Sequence, residues 1–179
     1  MKGAGIRVYE YASSHAVAEC RLQLEALFWL CKDADDVAVA NGMAGDATAT
    51  RRAATLDQCR KSGLLDAPRL VAARVLNTQR RTICPLCLEE LSGQGFFNRM
   101  KQAEGRLVPD LTVTELNLFH VSELRTGELN HRPYNVGWGH HHCNVAVRDI
   151  GVSRTLEWMQ AILRRNVAEG YFGAEKRES

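Results

Sequence analysis

Two pairs of soft ligands stand out in the chain, Cys84-x-x-Cys87 and His140-x-x-Cys143. A two-residue gap lets a tight turn present both side chains to one ion at about 2.0–2.3 Å, and two such turns complete a tetrahedral site. A lone CxxC is weak evidence, but a second pair later in the same chain makes structural zinc with three cysteines and one histidine the leading reading. His141 is the alternative to His140, although the x-x spacing favours His140. The bland reading of Cys84 and Cys87 is a redox pair or two small buried side chains. Cys20, Cys31 and Cys59 lie on apolar faces of expected helices without metal-like spacing, so they are expected to pack in the core.

These residues must be held by elements of two kinds. From His15 to about Arg81 the pattern is helical. In "AVAECRLQLEALFWLCKDA", Val17, Cys20, Leu24, Leu27, Phe28 and Cys31 recur at spacings of three and four, one apolar face of a helix that Asn41 and Gly42 could end. The stretch "GMAGDATAT" reads as a turn, "RRAATLDQCRKS" as a second helix closed by Gly63, and "APRLVAARVLNTQRR" as a third with Pro68 near its first turn. At Cys84 the character changes to loops and a short helix. "LTVTELNLFHVSEL", Leu111 to Leu124, reads as a strand entering a turn, and "YNVGWG" as the returning strand. A last helix is expected from about Ser153, with Leu156, Met159, Ile162 and Leu163 facing inward. The fold class is therefore α+β, with a helical region over residues 1–83 and a zinc-bound region over residues 84–179.

The order of features across the second region is informative: a cysteine pair, a strand ending at His120, a hairpin, Asn135, the His140/Cys143 pair, and Asn144 directly after the last cysteine. This arrangement resembles the HNH nucleases of the ββα-metal superfamily, in particular zinc-containing HNH restriction endonucleases and phage recombination endonucleases. In Asn135-VGWG-His140-HH-Cys143-Asn144 the resemblance keeps register, with histidine in place of one cysteine, and overall it covers about Cys84 to Arg148. It implies a two-strand and helix module that hydrolyses phosphodiester bonds in DNA. His120 would be the general base, a role suited to an imidazole titrating near pH 6.5. Asn135 would brace the loop that aims the His120 ring. Asn144 would offer an oxygen to a catalytic Mg2+ or Mn2+, a hard ion distinct from the sulfur-bound zinc. One position departs from the pattern: most of the family has Asp or His immediately before the base, and this chain has Phe119. A substitute such as Glu123, His142 or His131 would then help hold the ion, or the site would cut slowly or not at all.

Net charge is only +2, so contact with nucleic acid must come from a local patch. Residues 1–83 hold twelve Lys or Arg against nine Asp or Glu, which puts the basic excess in the first half of the chain. Candidate DNA contacts are Arg99 and Lys101 in "NRMKQAEGR", Arg132 and Tyr134 in "NHRPYN", Arg148, and first-half positives such as Arg51, Arg52, Arg60, Lys61, Arg69, Arg74, Arg80 and Arg81. No apolar run approaches the roughly 18–20 residues that a bilayer span needs. A cytoplasmic location is expected, and there cysteines serve as thiols or metal ligands more often than in disulfides. The leading functional expectation is a metal-dependent endonuclease of a restriction system, acting on double-stranded DNA as a homodimer that matches a symmetric target. The competing expectations are a zinc-stabilised DNA-binding protein that no longer cuts, and a phage recombination or toxin nuclease.

Overall fold

The computed structural model describes residues 12–99, 113–125, 128–148 and 150–171. Lys101 and Arg106 lie outside these segments. Among the described residues there are six α-helices and one two-stranded sheet, a mixed α+β architecture. The helices are α1 (Ser14–Trp29), α2 (Ala34–Ala40), α3 (Gly45–Lys61), α4 (Ala67–Ala72), α5 (His141–Val147) and α6 (Val152–Ala168). The strands are β1 (Leu116–His120) and β2 (Val136–His140). No described helix is long and apolar enough to cross a membrane.

The helical half differs from its sequence pattern at three places. The expected single helix through Asn41 is two, because the chain leaves helical geometry at Leu30 and Cys31 and restarts at Ala34. The break lets the buried Thr82 hydroxyl donate to the Leu27 carbonyl at 2.5 Å and the Thr82 amide donate to the Leu30 carbonyl at 3.1 Å. In α3 the helix starts at Gly45, so the supposed turn "GMAGDATAT" supplies its first turns, and Thr48 and Thr50 return their hydroxyls to carbonyls four residues back. The third expected helix is shortest of all. It starts at the Asp66 cap, whose carboxylate accepts from the Arg69 amide at 3.1 Å, and stops at Ala72. Beyond it Arg74 and Arg80 adopt positive φ, and Asn77 Oδ1 accepts from the Gln79 and Arg81 amides. That local bonding offers the backbone a turn in place of helix.

The sheet is antiparallel, with Leu116 opposite His140, Leu118 opposite Trp138 and His120 opposite Val136. Gly137 and Gly139 let two buried side chains lie close to β2: a Cβ at Gly139 would overlap the Phe119 ring, and one at Gly137 would overlap Val75. The hydrophobic core runs across both halves of the sequence. Trp29, Cys31, Ala34 and Ala38 share one cluster with Cys84, Leu91, Leu116, Phe119, Cys143, Val147 and Val152. The indole N–H of Trp138 on β2 donates to the Leu24 carbonyl of α1 at 2.8 Å. Buried Gln23 donates to the Leu64 carbonyl at 2.7 Å and accepts from the Tyr134 amide at 2.8 Å. Cys20, Cys31 and Cys59 are all buried, as their positions on apolar faces suggested. Burial pushes their thiols up, to about 11, 12 and 11 respectively, so they remain protonated packing groups.

The last helix departs from its expected orientation. Val152 and Thr155 in its first turn are buried, but Leu156 and Leu163 are 37% and 47% exposed and Trp158 is 54% exposed. Met159 and Ile162 are half-buried, and among the described residues the fully buried positions of α6 are those at its start, where the Val152 amide donates to the Val121 carbonyl at 2.8 Å. Gly151, at φ 80°, makes that approach possible, since a Cβ there would collide with the backbone of Ser122 and Glu123.

Candidate metal centre and active site

The first cysteine pair sits on a tight knuckle. The Leu88 amide donates to the Cys84 carbonyl and the Cys84 amide to the Glu89 carbonyl, both at 2.9 Å, and Leu88 takes φ 64° to close the turn. The second pair comes from the β2–α5 junction, where His140 ends the strand and Cys143 lies in the first turn of the helix. The ligand atoms of Cys84, Cys87, His140 and Cys143 all lie within 4.8 Å of one another. Ligands about 2.3 Å from one tetrahedral ion would stand roughly 3.8 Å apart, so little adjustment is needed. The His140 ring turns Nδ1 toward Cys87 Sγ, 3.3 Å away. His141 faces elsewhere, with Nδ1 3.0 Å from Asn117 Oδ1, so His140 is the histidine of this cluster.

The electrostatics suit a cation. Burial, and then the neighbouring Cys84 and Cys87, push the Cys143 thiol far up. Burial raises Cys87 as well. These thiols are proton-bearing until a cation replaces the protons. Burial, and then His142, lower the His140 imidazole, which keeps it in the neutral form that binds a metal. His142 stacks on His140 with centroids 5.2 Å apart and planes 8° from parallel, so it belongs to this centre and not to the end of β1.

The second group of residues is assembled by the hairpin. His120 ends β1 and is half-buried, with Nε2 3.0 Å from His131 Nδ1 and the two rings tilted by 56°. Asn135, 4% exposed, stitches the connection between the strands. Its Oδ1 accepts from the Ser122 amide and its Nδ2 donates to the Asn130 carbonyl, both at 2.7 Å, and its own carbonyl accepts from the Val121 amide at 3.0 Å. Asn130 in turn donates to the Glu123 carbonyl at 2.7 Å. Asn144, in α5, donates its amide to the Leu118 carbonyl of β1 at 3.1 Å, which anchors it two residues from His120 along the strand. Phe119 is fully buried in the main cluster. Glu123 is held by Arg125 at 2.6 Å and by Arg154 at 3.3 Å, and Arg125 first and Arg154 with it keep its carboxyl below the usual range.

With this geometry in hand, a scan of protein families matches residues 1–141 to the BstXI restriction endonuclease. The chain belongs to the BstXI restriction endonuclease family. No curated protein and no solved structure matches it at significance. The span matched to the BstXI family contains Cys84, Cys87, His120, His131, Asn135 and His140. Membership in a restriction endonuclease family implies a nuclease that binds DNA.

The basic residues of this BstXI-family chain divide by what they touch. Arg51 is bidentate to Glu25 at 2.6 and 2.8 Å, Arg52 pairs with Asp35, and Arg74 donates to the Pro85 carbonyl at 2.9 Å. Arg69 lies over the Tyr134 ring at 3.9 Å, and the Tyr134 hydroxyl donates to the Gly63 carbonyl at 2.6 Å. Tyr134 thus ties the hairpin to the helical half. Arg99, Arg132 and Arg148 are exposed, Arg99 opposite Thr114 in an isolated bridge and Arg148 just past α5. A groove of about 430 Å³ opens beside Val121 and Ser122, directly after His120, and is lined by Arg74, Arg125 and Arg154 together with Glu123. Sequence reading named Glu123 as a substitute ligand but missed its pairing with Arg125 and Arg154, and it missed buried Gln23, whose polar side chain on an apolar helix face was the available signal.

Proposed function

We propose that this chain is a type II restriction endonuclease whose zinc-held strand–strand–helix region over residues 84–179 is an HNH nuclease, with residues 1–83 contributing DNA contacts or a dimer interface. The observation that carries the reading is one convergence: His120 ends β1, Asn135 stitches the loop behind it, and Asn144 is tied to the same strand. On this reading neutral His120 accepts a proton from water, the resulting hydroxide attacks phosphorus, and the bond to the leaving oxygen breaks. Asn135 keeps the strand end and the loop in fixed relation, so the imidazole is aimed before substrate arrives. The arginine-lined groove beside Val121 would take backbone phosphates of the strand being cut.

The donor set of Cys84, Cys87, His140 and Cys143 fits zinc, with three thiols and a neutral imidazole within reach of one ion. Zinc there would supply cross-linking between the knuckle and the β2–α5 junction, and no chemistry. A preformed site for Mg2+ or Mn2+ is a different matter. Asn144 offers one oxygen, Phe119 offers none, and among the described residues the only grouped His, Cys, Asp and Glu ligands are those of the zinc set. A hard divalent ion would have to arrive with phosphate oxygens and water completing its shell, and no step above is routed through it.

A second reading, a zinc-stabilised DNA-binding protein that does not cut, is favoured by one observation: a fully buried phenylalanine occupies the position where an acidic ligand is expected. Supercoiled plasmid incubated with the protein and Mg2+ or Mn2+ separates the two. Linear product with ends of one defined sequence supports the endonuclease, and plasmid that is bound and left intact supports the second reading. Sedimentation with and without a palindromic duplex tests the dimer.

A further inference from the structure

Helix α6 has two apolar lines, and the body of the protein uses one of them. Val152 and Thr155 are buried and Met159, Ile162 and Asn166 half-buried, at spacings of three and four that turn them the same way. Leu156, Leu163 and Val167 form a second line beside the first, and all three are exposed. At 3.6 residues per turn, Leu156, Gln160, Leu163 and Val167 fall within about 60° of one another. Trp158 is exposed too, but it lies on the far side of the helix from this line. Single exposed apolar side chains are ordinary; a line of them over three turns is a surface for an apolar partner.

The charges beside the line identify that partner. Glu157 and Arg164, both exposed, are seven residues apart and so stand on one edge of the line, the edge away from Met159 and Asn166. Among the described residues neither is in an ion pair, whereas Arg154 of the same helix is held by Glu123. A reversed copy of α6 laid on the line puts Leu156 near Val167 of the other copy. It also brings each edge against its own counterpart, with Glu157 of one copy beside Arg164 of the other, twice, about a two-fold axis between Gln160 and Ala161. A parallel copy sets that edge against the Met159 and Asn166 edge and makes neither pair. One helix thus carries both members of each pair, the property of an isologous interface.

We propose that α6 is a homodimer interface, in which two copies pack antiparallel through Leu156, Leu163 and Val167 and exchange Glu157–Arg164 ion pairs. This places the contact between copies on residues 152–168 in place of the helical region 1–83, and it holds whether or not the chain cuts DNA. Because Gly151 seats the start of α6 against Ser122 and Glu123, the pairing also fixes how far apart the two copies hold their hairpins. One helix against its copy covers less than the roughly 800 Å² per partner of a standard interface, so the dimer is expected to be weak and concentration-dependent.

The test is sedimentation of the whole zinc-loaded chain over a wide concentration range without DNA, with far-UV dichroism confirming that each variant is folded. Wild type is expected to pass from monomer to dimer. Leu163→Glu, at an exposed position, should raise the dissociation constant at least about tenfold by burying a charge near the axis. Trp158→Ala should leave it unchanged. Glu157→Arg and Arg164→Glu should each weaken association roughly tenfold through like charges, and an equimolar mixture of the two should associate more tightly than either alone. That mixture pairs arginine with glutamate at both contacts, so it reads the antiparallel arrangement directly. Wild type that stays monomeric throughout overturns the proposal and gives the line to another occupant, a different protein or a segment of the same chain. A dimer that Leu163→Glu leaves intact overturns it by placing the interface elsewhere. Failure of the mixture to associate overturns the antiparallel pairing.

Discussion

Phe119 shows how a residue that looks wrong for one purpose is required for another. Set against the nuclease pattern it is a missing ligand, and the sequence offers no reason for it. In the fold its ring lies over Gly139, with no exposed surface, in the cluster that joins α1, α2, the knuckle, β1, α5 and α6. Replacing it by alanine is expected to cost about 3–5 kcal/mol through lost burial and a residual cavity, measured by urea unfolding; a change below 1 kcal/mol would contradict that packing role. The cluster of Cys84, Cys87, His140 and Cys143 was legible at this scale because ligand spacing is local chemistry. His120 and Asn135 were legible only as positions within a resemblance. The His120–His131 contact was not, since a hairpin decides which face of the loop approaches the strand end. Tyr134 was read as a DNA contact and its tie to Gln23 was missed for the same reason: the two meet across 111 residues of sequence.

At the scale of elements, hydrophobic periodicity located α1, α6 and both strands but misjudged where helices stop and which face they bury. At Leu30 the chain bonds Thr82 across the fold, and after Ala72 it closes through Arg74 at positive φ, with the Arg74 and Val75 amides donating to the Val71 and Leu70 carbonyls. On α6 the residues buried among the described ones are Val152 and Thr155 near its start, while Leu156, Trp158 and Leu163 are exposed. Two predictions belong here. If zinc crosslinks the knuckle to the β2–α5 junction, Cys87→Ser should lower zinc content well below about one ion per chain. It should also speed amide exchange in α5 while leaving α3 unchanged; uniform exchange across both would argue against a local crosslink. The second concerns Glu25, which joins α1 to α3 through Arg51 and Thr55. The Arg51 hydrogen bond first, and Thr55 with it, lower the Glu25 carboxyl below its usual value. Its folded pKa lies below the unfolded one, so this contribution is complete above the unfolded value near 4.3 and is lost as pH falls through the folded value. Arg51→Ala is expected to cost less than about 1 kcal/mol at pH 7, because the pair is partly exposed. The difference from wild type should shrink below about pH 4. A deficit that stays constant down to pH 2 would mean that Arg51 acts through packing alone.

Across the whole molecule, the cluster spanning Trp29 to Val152 and the Trp138–Leu24 bond join the helical half to the half that carries the Cys84, Cys87, His140 and Cys143 cluster. The chain should therefore unfold in one cooperative transition, with Trp fluorescence and far-UV dichroism coincident; two separated transitions would show halves that fold independently. Overall charge is nearly balanced, so the proposed DNA contacts have to be local, and the groove after His120, where Arg74, Arg125 and Arg154 lie with Glu123, is the candidate to test. Arg154→Ala should reduce the slope of log affinity against log salt by about 1, and an unchanged slope would remove Arg154 from the interface. The central claim is that a BstXI-family fold cuts DNA with His120 as its base. Its most direct test is the single-turnover cleavage rate of His120→Ala against wild type, at equal DNA occupancy and equal zinc content. The expected result is a loss of roughly 10²–10⁴-fold with DNA binding intact; a rate within a few-fold of wild type would contradict the account.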